Sequence, residues 1–454
     1  MPRPSIDIPV PPYAQSALEA LELAGYESWL VGGCVRDSLL HRPVNDYDIA
    51  TEASWEESER ALAAAGFAVH RTGTPHGTVT ASIDGNALEV TTFRSDGAYS
   101  DGRHPDSVTF VRSIEEDLAR RDFTINALAY HPTRGLLDSW GGLQDVEDGL
   151  IRAVGDPVKR FREDFLRIAR GCRFASQLGF VIEPETLQAM KACKMGLLRI
   201  ASERVTHELD GLLLGEHVHD ALMETVDVLV AVLPEVAACR GFEQRTPYHI
   251  YGVWEHTAWV VQNSPATRLN RWAALLHDIG KPGACFFEGD RMHFYGHPRL
   301  SVILASDALR RFSLAPSFVD RVLTLVRMHD VQIAATPKSV KRALADMGGD
   351  TELFQALIYL KRADALAQSE LSEPRLELAD ELQVVLDAVI ANGDAFTLKQ
   401  LDVSGRDLIA IGIAEGPAVG HALNQCLDAV IEGRVRNERA QLLEFAQSLE
   451  TAPQ

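Results

Sequence analysis

The sequence predicts an α+β fold in which a mixed α/β region comes first and helices fill the rest. Stretches that alternate polar and apolar residues, typical of half-buried strands, are confined to the first 145 residues. After Gly149 almost every periodic segment has helical spacing. The chain has 454 residues, 46 % hydrophobic and 24 % charged, which excludes a wholly disordered or fibrous protein. At about 150 residues per domain, this length indicates roughly three domains.

The charge balance and the distribution of cysteines indicate how the protein interacts with nucleic acid and where in the cell we expect it. Lys+Arg number 44 and Asp+Glu 64, so the formal charge is −20, which argues against indiscriminate coating of nucleic acid. Residues 151–210, with 11 basic and 8 acidic side chains, are the best candidate for a phosphate-facing surface. The six cysteines are scattered, and we find neither a secretory signal nor an apolar run near the ~20 residues of a membrane span. We therefore expect a cytoplasmic protein that does not enter a membrane.

Glycine, proline and aspartate divide the chain into segments of defined periodicity. In the first region they predict helices over 13–25, 34–40 and 54–65, strands over 28–31, 46–50, 76–83 and 87–92, and a polar loop over 95–106. In the second they predict helices over 158–178, 184–193 and 202–214, a linker over 241–248, and further helices from 254 to the end. The predicted order is a head (1–145), a helical neck (146–240), a helical third region (241–345) and a helical tail (346–454).

Two aspartates two positions apart are the first candidate for chemistry. Asp46 and Asp48 lie on a predicted strand, so both side chains point to the same face. Like charges this close repel unless a cation lies between them, and Mg²⁺ prefers carboxylate, water and phosphate oxygens. Glu89, in the alternating stretch LEVTTF, is a candidate third carboxylate from a neighbouring strand. The alternative is a polar strand face without a metal.

A glycine turn precedes the aspartates. Gly32 and Gly33 end a predicted strand and begin a predicted helix, where free backbone N–H groups can cradle a phosphate. Arg36 lies in the first turn of that helix. Together with the carboxylates, this arrangement favours two-metal phosphoryl transfer, in which two ions activate the attacking hydroxyl and stabilise the leaving pyrophosphate.

Five motifs follow one another with almost no gaps over about residues 28–210: LVGGCVRDSLLHRPVNDYDIAT, HGTVTASIDGNALEVTTFR, EEDLARRDFTINALAY, LLDSWGGLQDVEDGLIRAVGDPVKRFREDFLRIARGCRFA and RIASERVTHEL. They resemble the motifs of polymerase-β-type nucleotidyltransferases and, more narrowly, of bacterial tRNA CCA-adding enzymes and bacterial poly(A) polymerases. The resemblance implies that Asp46 and Asp48 hold two Mg²⁺ ions. It also implies that Gly32, Gly33 and Arg36 contact the triphosphate.

The segment RRDFTIN is a candidate for ribose recognition. Asp122 could accept a hydrogen bond from a ribose hydroxyl while Arg120 or Arg121 meets a phosphate or the ribose. A helix-capping aspartate with solvated arginines is the alternative. The resemblance favours ribose recognition, with Asn126 close by.

A second segment could read the base. Glu163, Asp164 and Arg167 share one face if they lie on a single helix, and a carboxylate and a guanidinium can match the Watson–Crick edge of a base. A surface ion pair is the alternative. The resemblance implies that Asp164 and Arg167 read CTP and ATP without a nucleic-acid template, and we count Arg204 among the nucleotide-binding residues. It matches the loop over 95–106 to a segment used in the switch from C to A.

A series of histidines marks a second centre. His256, His277, His297 and His329 are spread over about 75 residues, and Asp278 and Asp330 each follow one of them. Imidazole and carboxylate are good ligands for divalent transition metals. Any one of these histidines alone is more simply explained as a buried side chain that bonds a carbonyl, but the ordered series favours a metal site.

The series resembles the HD superfamily of metal-dependent phosphohydrolases, whose H…HD…D pattern corresponds to His256, His277, Asp278 and Asp330. His297 and His329 are extra candidate ligands. The resemblance implies hydrolysis of phosphomonoesters or 2′,3′-cyclic phosphates at damaged RNA ends, with Ni²⁺, Mn²⁺ or Co²⁺ as candidate ions. Lys281 could steady a phosphate or only cap the helix.

The C-terminal pattern DVSGRDLIAIGIAEGPAVGHALNQCLDAVIEGRVRNERAQLL resembles the tail of CCA-adding enzymes, which implies contact with tRNA. A helical scaffold explains it equally well, because residues 395–454 hold 5 basic and 8 acidic side chains. Arg434, Arg436 and Arg439 remain candidates for contacts that depend on shape.

The resemblances together predict a template-independent enzyme that adds C, C and then A to tRNA 3′ ends from CTP and ATP, with release of pyrophosphate. They predict an HD phosphohydrolase domain over 241–345 in addition. The nearest alternative is a poly(A) polymerase, and an HD phosphodiesterase with a sensor head is an alternative of another class. The expected partners are tRNA, CTP and ATP, and the expected cofactor of the first site is Mg²⁺.

Overall fold

The computed structural model describes residues 6–96, 108–289 and 291–450. The chain divides into two compact units, residues 1–232 and 233–454. The first contains a mixed sheet followed by helices, and the second is almost entirely helical, so the predicted α+β class is confirmed. The loop predicted over 95–106 lies outside the described residues from residue 97 onward.

The first unit alternates helices and strands before it becomes helical. Its elements up to residue 151 are α1 (Pro12–Leu23), β1 (Ser28–Val31), α2 (Gly33–Leu39), β2 (Tyr47–Thr51), α3 (Trp55–Ala64), β3 (Ala68–Gly73), β4 (Thr78–Ile83), β5 (Asn86–Thr92), β6 (Arg94–Asp96), β7 (Val108–Phe110), α4 (Ile114–Ala119), β8 (Leu128–His131), β9 (Gly135–Asp138), α5 (Gly142–Asp148) and β10 (Leu150–Ile151). The rest of the unit is α6 (Pro157–Glu163), α7 (Leu166–Leu178), β11 (Val181–Ile182), α8 (Pro184–Cys193), α9 (Ser202–Leu213) and α10 (Val218–Leu229).

Within the described residues, seven strands form one sheet in the order β3-β4-β5-β2-β1-β8-β9. Strands β1 and β2 are antiparallel, with Leu30 opposite Ile49, so the end of β1 lies beside the start of β2. Strands β2 and β5 are parallel and set Asp48 beside Glu89. This register brings the glycine turn that follows β1 close to the carboxylates of β2 and β5, where β1 ends and β2 begins.

Local sequence explains several element boundaries. The Ser54 side chain accepts from the backbone N–H of Glu57, and the Glu57 side chain accepts from the Ser54 N–H, which fixes the start of α3. Asp84 and Gly85 have φ of +50° and +80°, as the predicted hairpin turn between β4 and β5 requires. The sequence did not predict β3, β8 or β9, whose exposed residues or short length weaken the alternation that marks a strand.

The helix predicted over 158–178 is in fact two helices. Asp164 ends α6 with extended backbone dihedrals, φ −143° and ψ 107°, and its carboxylate accepts from the backbone N–H of Leu166 at 2.9 Å. An aspartate that bonds the backbone two residues ahead competes with helical hydrogen bonding. Helical periodicity on both sides of this break concealed it in the sequence.

The second unit packs helices around two centres, the histidines and a separate tail core. Its elements are α11 (Val253–Asn263), α12 (Arg268–Leu276), α13 (Lys281–Ala284), β12 (Phe286–Glu288), β13 (Arg291–His293), α14 (His297–Leu309), α15 (Pro316–Met328), α16 (Pro337–Asp346), α17 (Thr351–Leu366), α18 (Glu373–Ala391), α19 (Gly405–Ala410), α20 (Pro417–Ile431) and α21 (Arg439–Glu450). Leu408, Cys426 and Leu442 are buried at the centre of the tail core. In the described part of the chain, no helix has both the length and the apolar character that crossing a bilayer requires.

Candidate active site and metal centre

A cleft of about 630 Å³ opens in the first unit at the start of β2, and we call it the head cleft. Most of the predicted nucleotide-site residues line it: Gly32, Gly33, Arg36, Asp46, Asp48, Arg121, Asp122, Asn126, Asp164, Arg167 and Arg204. Of the predicted residues, Glu89 and Glu163 are outside this lining. The cleft therefore gathers side chains that are up to 172 positions apart in the sequence, from Gly32 to Arg204.

The carboxylates of the head cleft lie near one another, but they do not form a group of three converging metal-ligand atoms. Asp46 directly precedes β2 and is exposed, and Asp48 is half-buried. Burial and the neighbouring Glu89 carboxylate raise the pKa of Asp48 to about 6, against the lowering effect of Arg121. Among the described residues, the groups of three donor atoms that lie within 4.8 Å of one another are found in the second unit and not here. Ions at Asp46 and Asp48 would thus depend on further ligands from water or substrate.

Gly32 is fixed by two independent constraints. Its φ is +77°, a conformation that L side chains rarely adopt, and a Cβ there would lie 2.8 Å from the Nη1 atom of Arg121. Arg121 also donates to Asp117 at 3.2 Å, which limits its freedom to move away. The glycine turn therefore brings a backbone segment against a guanidinium at the mouth of the cleft.

A chain of hydrogen bonds crosses the floor of the cleft. Arg36 donates to the Asn126 side chain at 2.6 Å, Asn126 donates to Asp122 at 3.1 Å, and Arg170 donates to Asp122 at 2.7 Å. Burial alone would raise the pKa of Asp122, but Arg170 and Asn126 hold it well below its usual value. Asp122 is therefore ionised and orients Arg170, so it already has partners before any ribose hydroxyl arrives.

The predicted base-reading residues divide into two pairs. Arg167 is buried and donates to Glu163 at 2.9 Å and to the backbone oxygen of Arg120 at 2.9 Å. Glu163, predicted as a nucleotide contact, is outside the lining of the cleft and holds Arg167 in place. Asp164 faces the cleft, with Arg204 at 3.7 Å from its carboxylate.

Sequence reasoning missed a group of residues on α7 that line the same cleft. Arg170 and Arg173 project from this helix, and their guanidiniums lie 5.3 and 4.3 Å from the centre of the Phe174 ring. The guanidinium of Arg36 lies 5.1 Å from the centre of the same ring. The spacing Arg167-x-x-Arg170-x-x-Arg173 places three cations near one helix face, and this spacing could have revealed them.

The second unit contains a buried cluster, the histidine cluster, formed by His256, His277, Asp278, His297 and His329. The Oδ2 atom of Asp278 lies 3.4 Å from the Nε2 of His256 and 3.1 Å from that of His277. Its Oδ1 atom lies 3.2 Å from the Nε2 of His297 and 3.6 Å from that of His329. All five residues are buried: His297 and His329 are 8 % and 4 % exposed, and His256, His277 and Asp278 are at most 1 % exposed.

Each imidazole of the cluster is held by a backbone carbonyl at its Nδ1 atom. The acceptors are Ala367 for His256, Ala274 for His277, Phe294 for His297 and Val326 for His329, at 3.2, 2.7, 2.9 and 2.7 Å. In a neutral ring, a proton on Nδ1 leaves a lone pair on Nε2. This is the orientation that metal-bound histidines take in proteins.

Asp364 lies beside the histidine cluster, in the position for which the sequence predicted Asp330. Asp330 is exposed after α15 and is outside both groups of converging donors found among the described residues. Asp364, on α17, lies 3.1 Å from the Nε2 of His256 and is held by Arg375 at 2.8 Å. An aspartate on the buried face of an apolar helix was the available signal, because Leu360 and Ala363 beside it are also buried.

A tight turn and a buried lysine complete the surroundings of the cluster. A Cβ at Gly280 would lie 2.5 Å from the backbone nitrogen of Ser301, so only glycine allows the turn after Asp278 to pack against α14. Lys281 lies 2.5 Å from Asp278 and bonds Gln244 at 2.9 Å. Burial alone would raise the pKa of Asp278, but His277 and Lys281 hold it well below its usual value. Lys281 therefore compensates a buried carboxylate.

In the tail, the arginines considered for RNA contact have carboxylate partners. Arg434 bonds Glu432 at 2.7 Å, and Arg439 lies 2.5 Å from Asp407. Arg436 lies 3.7 Å from Glu438. Partnered arginines on an acidic surface attract phosphate weakly, so the tail contributes little general attraction for nucleic acid.

A mixed-sheet head with paired aspartates at a glycine turn, followed by helices and a buried His-Asp centre, defines a nucleotidyltransferase with an HD domain. Family models match in the same order: "Poly A polymerase head domain" over residues 28–152, "Probable RNA and SrmB- binding site of polymerase A" over 179–239, "HD domain" over 247–369, and tRNA nucleotidyltransferase domain 2 over 348–446.

Whole-chain similarities identify the family. A CCA-adding enzyme of Limosilactobacillus fermentum is 35 % identical over 444 residues, 96 % of each chain, and one of Levilactobacillus brevis is 34 % identical over 95 % of this chain and 96 % of its own. The crystal structure of the Bacillus stearothermophilus CCA-adding enzyme in complex with CTP is 30 % identical, covers 98 % of both chains and has a TM-score of 0.74. The chain belongs to the CCA-adding enzyme family.

Proposed function

We propose that this protein adds C, C and then A to the 3′ end of tRNA from CTP and ATP, with release of pyrophosphate. The head cleft is the observation that carries the proposal, because one space of about 630 Å³ joins the paired aspartates, the glycine turn and the pair Asp164 and Arg167. The CTP complex of a relative with 30 % identity supports a nucleoside triphosphate as the ligand.

The electrostatics of the cleft suit a triphosphate and its metal ions. Seven arginines and five aspartates line it: Arg36, Arg120, Arg121, Arg167, Arg170, Arg173, Arg204, Asp37, Asp46, Asp48, Asp122 and Asp164. The raised pKa of Asp48 reflects burial and carboxylate crowding that a bound cation would relieve. Asp46 and Asp48 would hold Mg²⁺, and the chemistry that such ions would supply is activation of the RNA 3′ hydroxyl and stabilisation of the leaving pyrophosphate. The 3′ hydroxyl gives up its proton to water and its oxygen bonds the α-phosphorus, while the bond from the α-phosphorus to the oxygen that bridges to the β-phosphate breaks and this oxygen leaves with pyrophosphate.

Each remaining residue of the cleft has a binding or orienting role in this proposal. The glycine turn and Arg36 contact the triphosphate, and Asp122 meets the ribose or holds Arg170 toward it. Asp164 accepts from the amino group that cytosine and adenine share, and Arg167 donates to a ring nitrogen or carbonyl oxygen of the base. Glu163 keeps Arg167 in the required orientation.

The test is incubation of tRNA lacking its CCA end with Mg²⁺ and each nucleoside triphosphate in turn. We expect incorporation from CTP and then ATP, and its loss in an Asp46→Asn variant. Glu56→Gln is the matched control, since Glu56 is exposed and does not line the cleft. A long run of A on any RNA would instead identify the alternative, a poly(A) polymerase. Absence of incorporation from every triphosphate would contradict both.

We also propose that the histidine cluster hydrolyses phosphoesters at RNA ends. The cluster supports this second activity because the Nε2 atoms of its histidines and the Asp278 carboxylate lie close together, as the ligands of a metal ion do. Among buried side-chain atoms of the described residues, the Nε2 atoms of His256 and His277 have no hydrogen-bond partner, and the Asp278 carboxylate has the Lys281 ammonium as its ion-pair partner, so a divalent transition metal fits between these imidazoles and the carboxylate. Such an activity would supply the free 3′ hydroxyl that nucleotide addition needs.

Hydrolysis is tested on a phosphomonoester and on a 2′,3′-cyclic phosphate. Chelator-treated protein is supplied with Ni²⁺, Mn²⁺ or Co²⁺, and we expect release of phosphate or ring opening that His277→Ala abolishes. His421→Ala is the control, because His421 is exposed and is outside the groups of converging donors. Hydrolysis that persists unchanged in His277→Ala would rule out the histidine cluster as its site.

The remaining assignments are inferences of the same kind. We infer a head (1–145), a neck (146–240), an HD domain (241–345) and a tRNA-contacting tail (346–454). The HD family match to residue 369 supports moving the third boundary so that α17 and Asp364 belong to the HD domain. We infer a cytoplasmic location, which free thiols at all the cysteines support.

A further inference from the structure

We propose that the hairpin of β12 and β13 carries a stacking site for the last unpaired base of an RNA strand whose phosphate end lies at the histidine cluster. The rings of this site belong to Phe286, His293 and Tyr295, and we call them the aromatic platform. The inference deepens the proposed phosphoesterase function by naming an unpaired RNA end as its substrate. It rests on that proposed function for its biological role and on the geometry of the hairpin for base binding.

The first observation is that the three rings share one face of the hairpin. Phe286 and His293 are opposite each other in the register of β12 and β13, and Tyr295 follows two positions after His293, so all three point the same way. The ring centres are 5.0, 5.4 and 5.5 Å apart, and the His293 ring is 27° and 22° from parallel with the other two. Such near-parallel rings offer a flat aromatic surface, on which nucleobases stack.

The second observation is that this surface is exposed. Tyr295 is 72 % exposed and Phe286 is 42 % exposed, whereas Met292 on the opposite face of the hairpin is buried. Mutual packing of the rings to stabilise a short two-stranded hairpin is the competing explanation. That explanation does not require most of Tyr295 to face solvent, whereas a stacking site does.

The third observation is that the hairpin connects two segments of the histidine cluster. It begins shortly after Lys281, which pairs with Asp278, and β13 ends four residues before His297. Tyr295 is two residues from His297, so their Cα atoms are at most about 7 Å apart. In the same connection, the backbone oxygen of Phe294 accepts from the Nδ1 atom of His297 at 2.9 Å. The aromatic platform therefore adjoins the cluster.

The fourth observation is that the cluster is most open to solvent beside the aromatic platform. His297 is 8 % exposed, against 4 % for His329 and at most 1 % for His256, His277 and Asp278. His297 is also the cluster member nearest to the platform in the chain. A ligand that enters the cluster from solvent would thus pass the rings.

The charges around the aromatic platform give the bound strand a direction. Arg299 is exposed in the first turn of α14, two residues after His297, and a guanidinium in that place attracts a phosphate. Glu288 and Arg291 are opposite each other in the hairpin, so their charges offset. The base therefore lies on the rings while its phosphate lies toward Arg299 and the cluster. Flat rings beside an exposed cation favour single-stranded RNA over a protein partner.

The test compares RNA ends with and without a base. Two short single-stranded RNAs carry a 3′-phosphate, and in one of them the last nucleotide is abasic. The full chain, supplied with Ni²⁺, Mn²⁺ or Co²⁺, should release phosphate from the RNA with the base at a kcat/KM about 5- to 100-fold higher, because stacking of one base strengthens binding by about this factor.

Substitutions on the two faces of the hairpin separate stacking from a general effect on the fold. Phe286→Ala and Tyr295→Ala together should lower kcat/KM for the RNA with the base to the value for the abasic RNA. Phe287→Ala is the matched control, an exposed ring on the opposite face of the same hairpin, and should keep the preference. Tyr295→Trp, which retains a flat ring, should keep it too.

A photochemical crosslink measures base binding without hydrolysis. An RNA whose last, 3′-phosphorylated nucleotide is 4-thiouridine is irradiated with the protein, and the attached peptide is identified by mass spectrometry. We expect attachment within residues 286–295, its loss in the Phe286→Ala, Tyr295→Ala variant and its retention in Phe287→Ala. Attachment to the first unit reports binding at the head cleft and is counted separately.

Equal kcat/KM values for the two RNAs in the unaltered protein, or a preference that survives the double substitution, would overturn the inference. If the protein hydrolyses neither RNA, the crosslink decides. Attachment to the hairpin that the double substitution removes would sustain the aromatic platform and refute the proposed hydrolysis. Attachment only elsewhere would overturn the platform.

Discussion

The head cleft and the histidine cluster differ in how far the chain completes them. In the cleft, Asp46 is exposed and Asp48 is half-buried, and they belong to no group of three converging donors found among the described residues. In the cluster, His256 and His277 are fully buried and converge on Asp278. The head cleft is therefore open to ions that arrive with a substrate, whereas the donor atoms of the histidine cluster are already close enough to hold resident ions.

The difference follows from where each site lies in the fold. Carboxylates at the start of a strand can face water. Mg²⁺ bound there would complete its coordination shell with water and with the phosphates of a triphosphate. Imidazoles at helix ends can be held by the free carbonyls of the same turn, as Ala274 and Val326 hold His277 and His329. Helix termini thus orient buried ligands without further residues.

The largest expected effect is the loss of one enzymatic activity while the other is retained, because the two sites act independently. Asp48→Asn should lower nucleotide incorporation about 10³-fold, because it weakens metal stabilisation of the transition state by several kcal/mol. Asp278→Asn should abolish hydrolysis of phosphoesters instead. Both rates are measured on both variants, and a variant that loses both activities while remaining folded would contradict separate sites.

A smaller effect is expected on the choice of base. Asp164→Ala should reduce the preference for CTP and ATP over UTP and GTP by about 10- to 100-fold, since a well-placed polar pair discriminates by about 1–3 kcal/mol. The measurement is kcat/KM for each triphosphate. Glu203→Gln, an exposed carboxylate beside Arg204, is the control. Unchanged ratios in Asp164→Ala would remove it from base recognition.

Gly32→Ala should weaken triphosphate binding, because the added methyl group meets Arg121 in the cleft. We expect KM to rise about tenfold and the free energy of unfolding to fall by about 1–2 kcal/mol from the left-handed backbone. Gly66→Ala is a matched control, since Gly66 has φ +91° and no atom within 4 Å of its Cβ position. It should lose stability alone, and an equal rise in KM would refute the contact.

The smallest expected effect concerns stability and pH. The pKa of Asp122 is held below its usual value, so its ion pair with Arg170 stabilises the fold above the unfolded pKa of about 3.9 and less at lower pH. Asp122→Asn should cost about 1–2 kcal/mol at pH 7, because Arg170 is partly exposed. Denaturant titration should show this difference shrinking below about pH 4. A difference that stays constant to pH 3 would mean that the ion pair contributes nothing.

The sequence predicted the parts of these sites that local patterns encode. The glycine turn, the paired aspartates and the histidine series are visible because their spacing matches one strand, one turn or one helix end. Whether Glu163 contacts a nucleotide or only holds Arg167 depends on side-chain directions across the helix break at Asp164, which the sequence pattern did not reveal. Local patterns encode directions only within one unbroken element.

Contacts between elements that are far apart in the sequence could not be predicted from local sequence patterns. Asp364 lies 108 positions after His256 and enters the histidine cluster only because α17 packs on α11. Asp330 follows a histidine directly, yet it is exposed, because consecutive residues at a helix end point in different directions. The burial of an aspartate among apolar helix residues was the better guide to the carboxylate that lies beside the cluster.

The most direct test of the account is to sequence the 3′ ends of tRNA that lacks its last three nucleotides after incubation with this protein, Mg²⁺ and all four nucleoside triphosphates. The account predicts that the ends gain C, C and A, stop there, and stay unextended with the Asp46→Asn, Asp48→Asn double variant. Products that end in a longer run of A, that include G or U, or that also form with the double variant would contradict it.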